Sequence, residues 1–180
     1  MHTTIRTKLC LLLLLLGSLL YAGSDYTTYD RGIGAQAGRL SGTGLSYHLR
    51  LNDVSAFQTT LGLFYESDEF YLSLDYALGV EYQHTFYSDS YADWFAADLY
   101  WFAGLNHSGS MYLADSSEYS TDFTPSFSFG GGFGVEPILF GHFSLPVSFG
   151  YGLFYTPSSA ALYRQVSVSF LAQIGARYRF

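Results

Sequence analysis

The stretch Val166-Ser167-Val168-Ser169-Phe170-Leu171-Ala172-Gln173-Ile174-Gly175-Ala176-Arg177-Tyr178-Arg179-Phe180 decides the fold. Every second residue, from Val166 through Phe170 and Ile174 to Phe180, is apolar or aromatic, whereas Ser167, Ser169, Leu171, Gln173, Gly175, Arg177 and Arg179 stand between them. A period of two marks a strand, because successive side chains leave a pleated backbone on opposite faces. The same rhythm returns over 70–83, where Leu72, Leu74, Tyr76, Leu78, Val80 and Tyr82 oppose Ser73, Asp75, Gly79, Glu81 and Gln83. It returns again over 143–155, with Phe143, Leu145, Val147, Phe149, Tyr151 and Leu153 against Ser144, Pro146, Ser148, Gly150 and Gly152. Weaker versions over 31–40, 44–51, 56–65, 93–106 and 126–139 bring the expected number of strands to eight. Most separators are hairpin-sized, which makes sequence neighbours antiparallel neighbours in space.

Alternation alone does not say which face is inside. The polar face carries Gly34, Gly38, Ser73, Gly79, Ser128, Gly130, Gly132, Gly134, Ser148, Gly150 and Gly152 in place of the long charged side chains that solvate an exposed sheet. Small residues suit a crowded interior, and an eight-stranded barrel has a lumen just wide enough for side chains to fill. Its expected charges have both signs: Arg50, Arg177 and Arg179 with Asp75, Glu81, Asp98 and Glu136. The expectation is an all-β, eight-stranded antiparallel up-and-down transmembrane β-barrel whose lumen is filled by an ion-pair and hydrogen-bond network, with lipid outside. Closure satisfies every backbone N–H and C=O within the barrel, the condition for crossing hydrocarbon with strands. With both termini periplasmic, the segments 106–125 and 156–165 face outward, and turns at 52–54, 88–90 and 140–142 face the periplasm. Leu74 and Tyr76 are then expected near the bilayer midplane.

The beginning of the chain agrees. Arg6 and Lys8 precede an apolar run from Leu9 to Leu20 that ends in Ala22, Gly23 and Ser24. That run is too short to span about 30 Å of hydrocarbon as a helix and has the layout of a secretory signal peptide. Residues 1–22 are read as that signal, 23–30 as a short N-terminal periplasmic segment, and 31–180 as the barrel. Cys10 falls within the signal and is the single cysteine. Beyond residue 22 there are 6 arginines, no lysine and 15 carboxylates, so 6 − 15 gives a net charge of −9. Such a chain is not built for nucleic acid. Aromatic residues at 19% outnumber charged ones at 13%, a balance that does not suit a surface wetted by water.

Three features together resemble the small eight-stranded outer-membrane β-barrels of the OmpA/OmpX-like group, including uncharacterised bacterial members. The first is the final strand ending Ile174-Gly175-Ala176-Arg177-Tyr178-Arg179-Phe180, which looks like the C-terminal signal of that class. The second is Gly32-Ile33-Gly34 leading to Leu45-Ser46-Tyr47 and Leu51-Asn52-Asp53, similar to an opening hairpin with a short outer loop. The third is Gly131-Gly132-Phe133-Gly134-Val135-Glu136 followed by His142-Phe143-Ser144-Leu145, like the sixth and seventh strands. The resemblance implies residence in the cell outer membrane, contact with outer-membrane lipids, and reading of the strand ending at Phe180 by the barrel assembly machinery.

Candidate chemistry is sparse. His142-Phe143-Ser144 has the spacing of the His-x-Ser pair of lipid A deacylases, and a hydroxyl beside an imidazole is a nucleophile with its base. However, Leu145 stands where that family has Asn, no Glu occurs after Glu136, and the pair lies at a periplasmic turn while the substrate lies in the outer leaflet. The reading adopted is a turn histidine and a lumen serine. Gly130 to Gly134 alternate within a strand without a following helix or Lys-Ser/Thr pair, so they admit facing side chains to the lumen instead of cradling a phosphate. His48, His84 and His107 lack metal-ligand spacing and are read as solvated or lumen residues. Asp115, Glu118 and Asp122 are read as a solvated loop. No catalytic, cofactor-binding or metal residue is assigned, and no cofactor is expected. The expected function is that of a non-enzymatic, non-pore outer-membrane protein with a structural or surface-interaction role through its outer loops, whose partner is unknown. Alternatives are a lipid A modifying enzyme of the deacylase kind and a soluble, lipocalin-like carrier with its apolar face turned inward.

Overall fold

The computed structural model describes residues 29–67, 71–114, 122–157 and 166–180. These form one antiparallel sheet of nine strands: β1 (Arg31–Gly38), β2 (Gly44–Arg50), β3 (Ser55–Ser67), β4 (Tyr71–Ala92), β5 (Phe95–Ala114), β6 (Asp122–Leu139), β7 (Phe143–Ser144), β8 (Val147–Tyr155) and β9 (Val166–Arg179). β7 and β8 occupy one position between β6 and β9. Pro146 separates them, since it has no N–H to give to a ladder. The ring therefore has eight positions, and β1 closes it by pairing with β9 from Gly32↔Arg179 to Gly38↔Gln173.

Register fixes the shape of the barrel. Starting from Ala35, partners run through Leu45, Leu61, Leu78, His107, Phe127 and Tyr155 to Val166. Ala35 itself, however, pairs with Ala176. The stagger on closing is thus 176 − 166, ten residues. With strands about 4.8 Å apart and a rise of about 3.3 Å per residue, that stagger tilts the strands by about 40° from the barrel axis.

Side chains divide as their alternation requires. Leu45 is 61% exposed, Phe129 60% and Val168 70%, all on the outer surface, whereas Arg177 and Arg179 on the other face are 3% and 0% exposed. The apolar side chains lie outside, the reverse of the lipocalin-like arrangement, in which they would be enclosed. A belt of aliphatic and phenyl groups around a closed sheet is suited to lipid. Aromatic clusters flank it: Phe57, Tyr82, His84 and Trp101 toward one end, and Tyr76, His107, Phe123 and Phe127 toward the other.

Several boundaries differ from the sequence reading. β4, β5 and β6 are 22, 20 and 18 residues long, so much of the expected 106–125 loop is paired strand. The turn expected at 88–90 lies instead at Asp93–Trp94, because β4 continues past a bulge between Thr85 and Tyr87. A bulge resets the alternation, which is why the period of two fades there and conceals the end of the strand. Leu74 pairs with Tyr65 and Met111 near the N-terminal end of β4, whereas Val80 pairs with Thr59 and Leu105 nearer the middle. The assignment of Leu74 and Tyr76 to the midplane is corrected accordingly. The signal segment 1–22, the loop carboxylates Asp115 and Glu118, and the tip of the 156–165 connection lie outside the described residues, as does the side chain of Asp122.

Val80→Arg places a charge on the lipid face near mid-depth. It is expected to cost about 2–4 kcal/mol of folding free energy. Urea titration of folding into phosphatidylcholine vesicles measures this, and a titration unchanged from the parent would refute the facing assignment.

Candidate functional site

The lumen holds the polar chemistry of this chain. Toward the end where β1 begins and β9 finishes, Arg50 Nη2 donates to Asp98 Oδ2 at 2.8 Å, and Ser88 Oγ donates to Asp98 Oδ1 at 2.5 Å. Deeper in, Arg177 Nη1 lies 3.3 Å from Glu136 Oε2, with both side chains almost wholly buried. A chain of hydrogen bonds runs on from this pair. Arg177 Nη2 donates to Gln58 Oε1 at 2.6 Å, and Gln83 Nε2 donates to Gln58 Oε1 at 3.3 Å and to Glu81 Oε1 at 2.6 Å. Gln173 Nε2 donates to Glu81 Oε2 at 2.8 Å and to Ser148 Oγ at 3.2 Å. Five of the seven charged residues expected in the lumen, Arg50, Asp98, Arg177, Glu136 and Glu81, take part in these contacts. Arg179 is buried beside the turn after β6, where its backbone carbonyl lies 3.0 Å from His142 Nδ1. Asp75 stands apart, near the opposite end.

Above the network the segment between β1 and β2 enters the lumen. Leu40, Ser41 and Gly42 fold inward and are buried. Leu40 joins Tyr100, Phe102, Phe154 and Leu171 in an apolar cluster inside the barrel. Ser41 N–H donates to Gln173 Oε1 at 2.5 Å, so the closing segment is tied to the chain of amides below it. Two glycines permit this. Gly42 has a φ of +80°, a region that side chains disfavour, and a Cβ at Gly79 would collide with the Ser41 carbonyl.

The sequence reading of this site omits both the amides and the inward loop. Gln58, Gln83 and Gln173 occupy polar-face positions and are nearly fully buried. Their parity was the available signal, since a long amide on an enclosed face has to find partners there. Leu40 offers no comparable signal, because an apolar residue beside a turn is compatible with either direction.

The other candidates are dispersed. His142 sits in the turn after β6, where it stacks on Tyr29 and Tyr178. Its Nδ1 faces Arg179 O at 3.0 Å and its Nε2 faces Tyr29 OH at 3.3 Å, while Ser144 is 1% exposed in the lumen. With both ring nitrogens engaged elsewhere, the imidazole and hydroxyl are not assembled as a base and nucleophile. His48 is a buried lumen residue, as read. His84 and His107 lie instead on the outer face, half-exposed in the aromatic clusters against Trp101 and Phe127, and not in the lumen. Gly134 leaves space that the Tyr100 ring fills, as the sequence reading expected of these glycines. Gly130 and Gly132 instead face the β8 backbone so closely that a Cβ would meet it.

The chain matches no family model and no curated protein. It is similar in fold to the N-terminal β-barrel domain of Pseudomonas aeruginosa OprF, at 15% identity and a TM-score of 0.53, over 85% of this chain and 98% of that one. Further similar structures are Ail, the attachment invasion locus protein of Yersinia pestis (16% identity, TM-score 0.45, 86% and 100% covered), and Neisserial surface protein A (18%, 0.44, 83% and 94%). The fold is that of the small eight-stranded outer-membrane β-barrels.

Arg177→Met strands Glu136 without its cation, a change expected to cost about 3–5 kcal/mol, and Arg177→Met combined with Glu136→Leu should recover most of it. The urea midpoint for unfolding from vesicles reads both. A single variant as stable as the parent would show that the pair contributes nothing.

Proposed function

We propose that this outer-membrane barrel is a non-enzymatic, non-conducting protein whose barrel anchors and stabilises it, and whose outer connections make its surface contacts. Its other partners are then the lipids against the apolar skin and the assembly machinery that reads the alternation of β9. The observation that carries this reading is the obstructed lumen. The Leu40 cluster and the amide-linked ion pairs occupy the cross-section that ions would need. The separation of His142 from Ser144 gives the deacylase alternative no support.

Reconstituted into planar lipid bilayers, the folded protein is expected to add no stepwise conductance to the lipid background; resolved single-channel steps would overturn the non-conducting reading. Lipid A from a deletion strain is expected to give the same mass spectrum as the parent, and a mass difference of one acyl chain between the two would restore the enzymatic alternative.

A further inference from the structure

Beyond the Leu40 layer the barrel opens into a compartment of about 770 Å³ at its outer end. That volume is within the range of small-molecule sites. Its wall is organised by strand register. Phe64, Asp75, Ser110 and Thr124 form one cross-strand row on β3 to β6. Below them Ser108 faces Ser126, and Asn106 faces Ser128. Opposed residues in such a sheet stand about 5 Å apart and same-face neighbours along a strand about 7 Å apart. The result is a lattice of hydroxyl, amide and carboxylate groups.

Two groups in that wall have no hydrogen-bond partner among the described residues. Asn106 is 6% exposed and its Nδ2 has no hydrogen-bond partner among the described residues; Asp75 Oδ1 is also buried without one. Buried polar atoms are normally paired, so these two point to a further participant. Phe64 is a second anomaly. It is 48% exposed and turned toward the compartment, on the face where the lower part of β3 carries Gln58 and Thr60.

The chemistry narrows the occupant. Arg39, the cation in the lining, already donates to Ser169 Oγ at 2.9 Å and lies 3.9 Å over the Phe154 ring. With Asp75 in the same lining the wall carries no net positive charge, which does not favour a phosphate or sulfate. Asp75 is the sole carboxylate among the described lining residues, which does not make a metal cage. A wall rich in hydroxyls is also poorly matched to an alkyl chain. A ligand with many hydroxyls and one apolar face fits: Asp75 accepts from two of its hydroxyls, Asn106 donates, and the ring C–H face lies on Phe64.

We propose that this outer compartment binds a neutral saccharide of one or two hexose rings. The inference goes beyond the reading of the protein as a sealed barrel with contacts through its loops, and rests on it only in taking the open end to face outward. The sugar is presented either as a soluble glycan or as the headgroup of a glycolipid.

The test uses the whole folded barrel in nanodiscs and follows its amide resonances while maltose, cellobiose or N,N′-diacetylchitobiose is added to about 10 mM, ten times a Kd of about 1 mM. At least one of these sugars is expected to shift the Asp75, Asn106, Ser108 and Ser110 amides saturably. Asp75→Asn and Phe64→Ala are each expected to weaken binding about tenfold, equivalent to about 1.4 kcal/mol. Heat-shifted gel mobility confirms that both variants are folded. A second arm incorporates a diglucosyl diacylglycerol in the nanodisc. Shifts with free sugar alone identify a soluble glycan, and shifts with the glycolipid identify a lipid headgroup. No saturable shift in either arm, or equal affinity in Asp75→Asn, overturns the proposal. Bilayer conductance is a separate measurement, so failure of the sealed-barrel reading would be seen independently of the sugar titration.

Discussion

The structure depends on ring closure. Hydrocarbon offers no hydrogen bond to an unpaired peptide group, so a strand crosses it only when both of its edges are occupied. Pairing of β1 with β9 completes that condition, and its ten-residue stagger sets the tilt and the bore together. The bore in turn decides what the inner face can be. Long side chains from eight strands compete for one narrow space, so glycine and serine alternate with a few arginines, carboxylates and glutamines that must satisfy one another.

Charge balance follows from the same confinement. A buried guanidinium without a partner is costly, and the lumen meets Arg50 with Asp98 and Arg177 with Glu136. The glutamines matter as much as the ions. Gln58 and Gln173 each accept with one end and donate or relay with the other, which joins Glu136 to the inward Ser41 through Arg177, Gln83 and Glu81. The closing segment is therefore held by both apolar packing of Leu40 and a polar link to the ion pairs. A barrel filled in this way leaves its free volume at the end away from the ion pairs, beside the longest strands.

The fold was legible because it is local. Parity along Val166 to Phe180 and Phe143 to Tyr155 predicts each side chain's face, and the structure places Leu171, Arg177 and Arg179 inside and Phe170, Ile174 and Tyr178 outside as that parity requires. The ends of β4 were not legible, since the bulge near Phe86 shifts the phase before the turn. Nor was the extension of β5 and β6, where Ser108, Ser110, Thr124 and Ser126 read as loop composition although they are the polar face of paired strands.

The sequence by itself determined the period, the number of ring positions, the sign of each face and which charges would be enclosed, because alternation and composition act between neighbours along the chain. Tertiary structure alone decided which charges meet, that the β1–β2 segment turns inward, and that Asp75, Asn106 and Phe64 share a compartment apart from the ion pairs. Those outcomes depend on stagger around the ring and on contacts between residues far apart in the chain, neither of which is encoded in the spacing of any one segment.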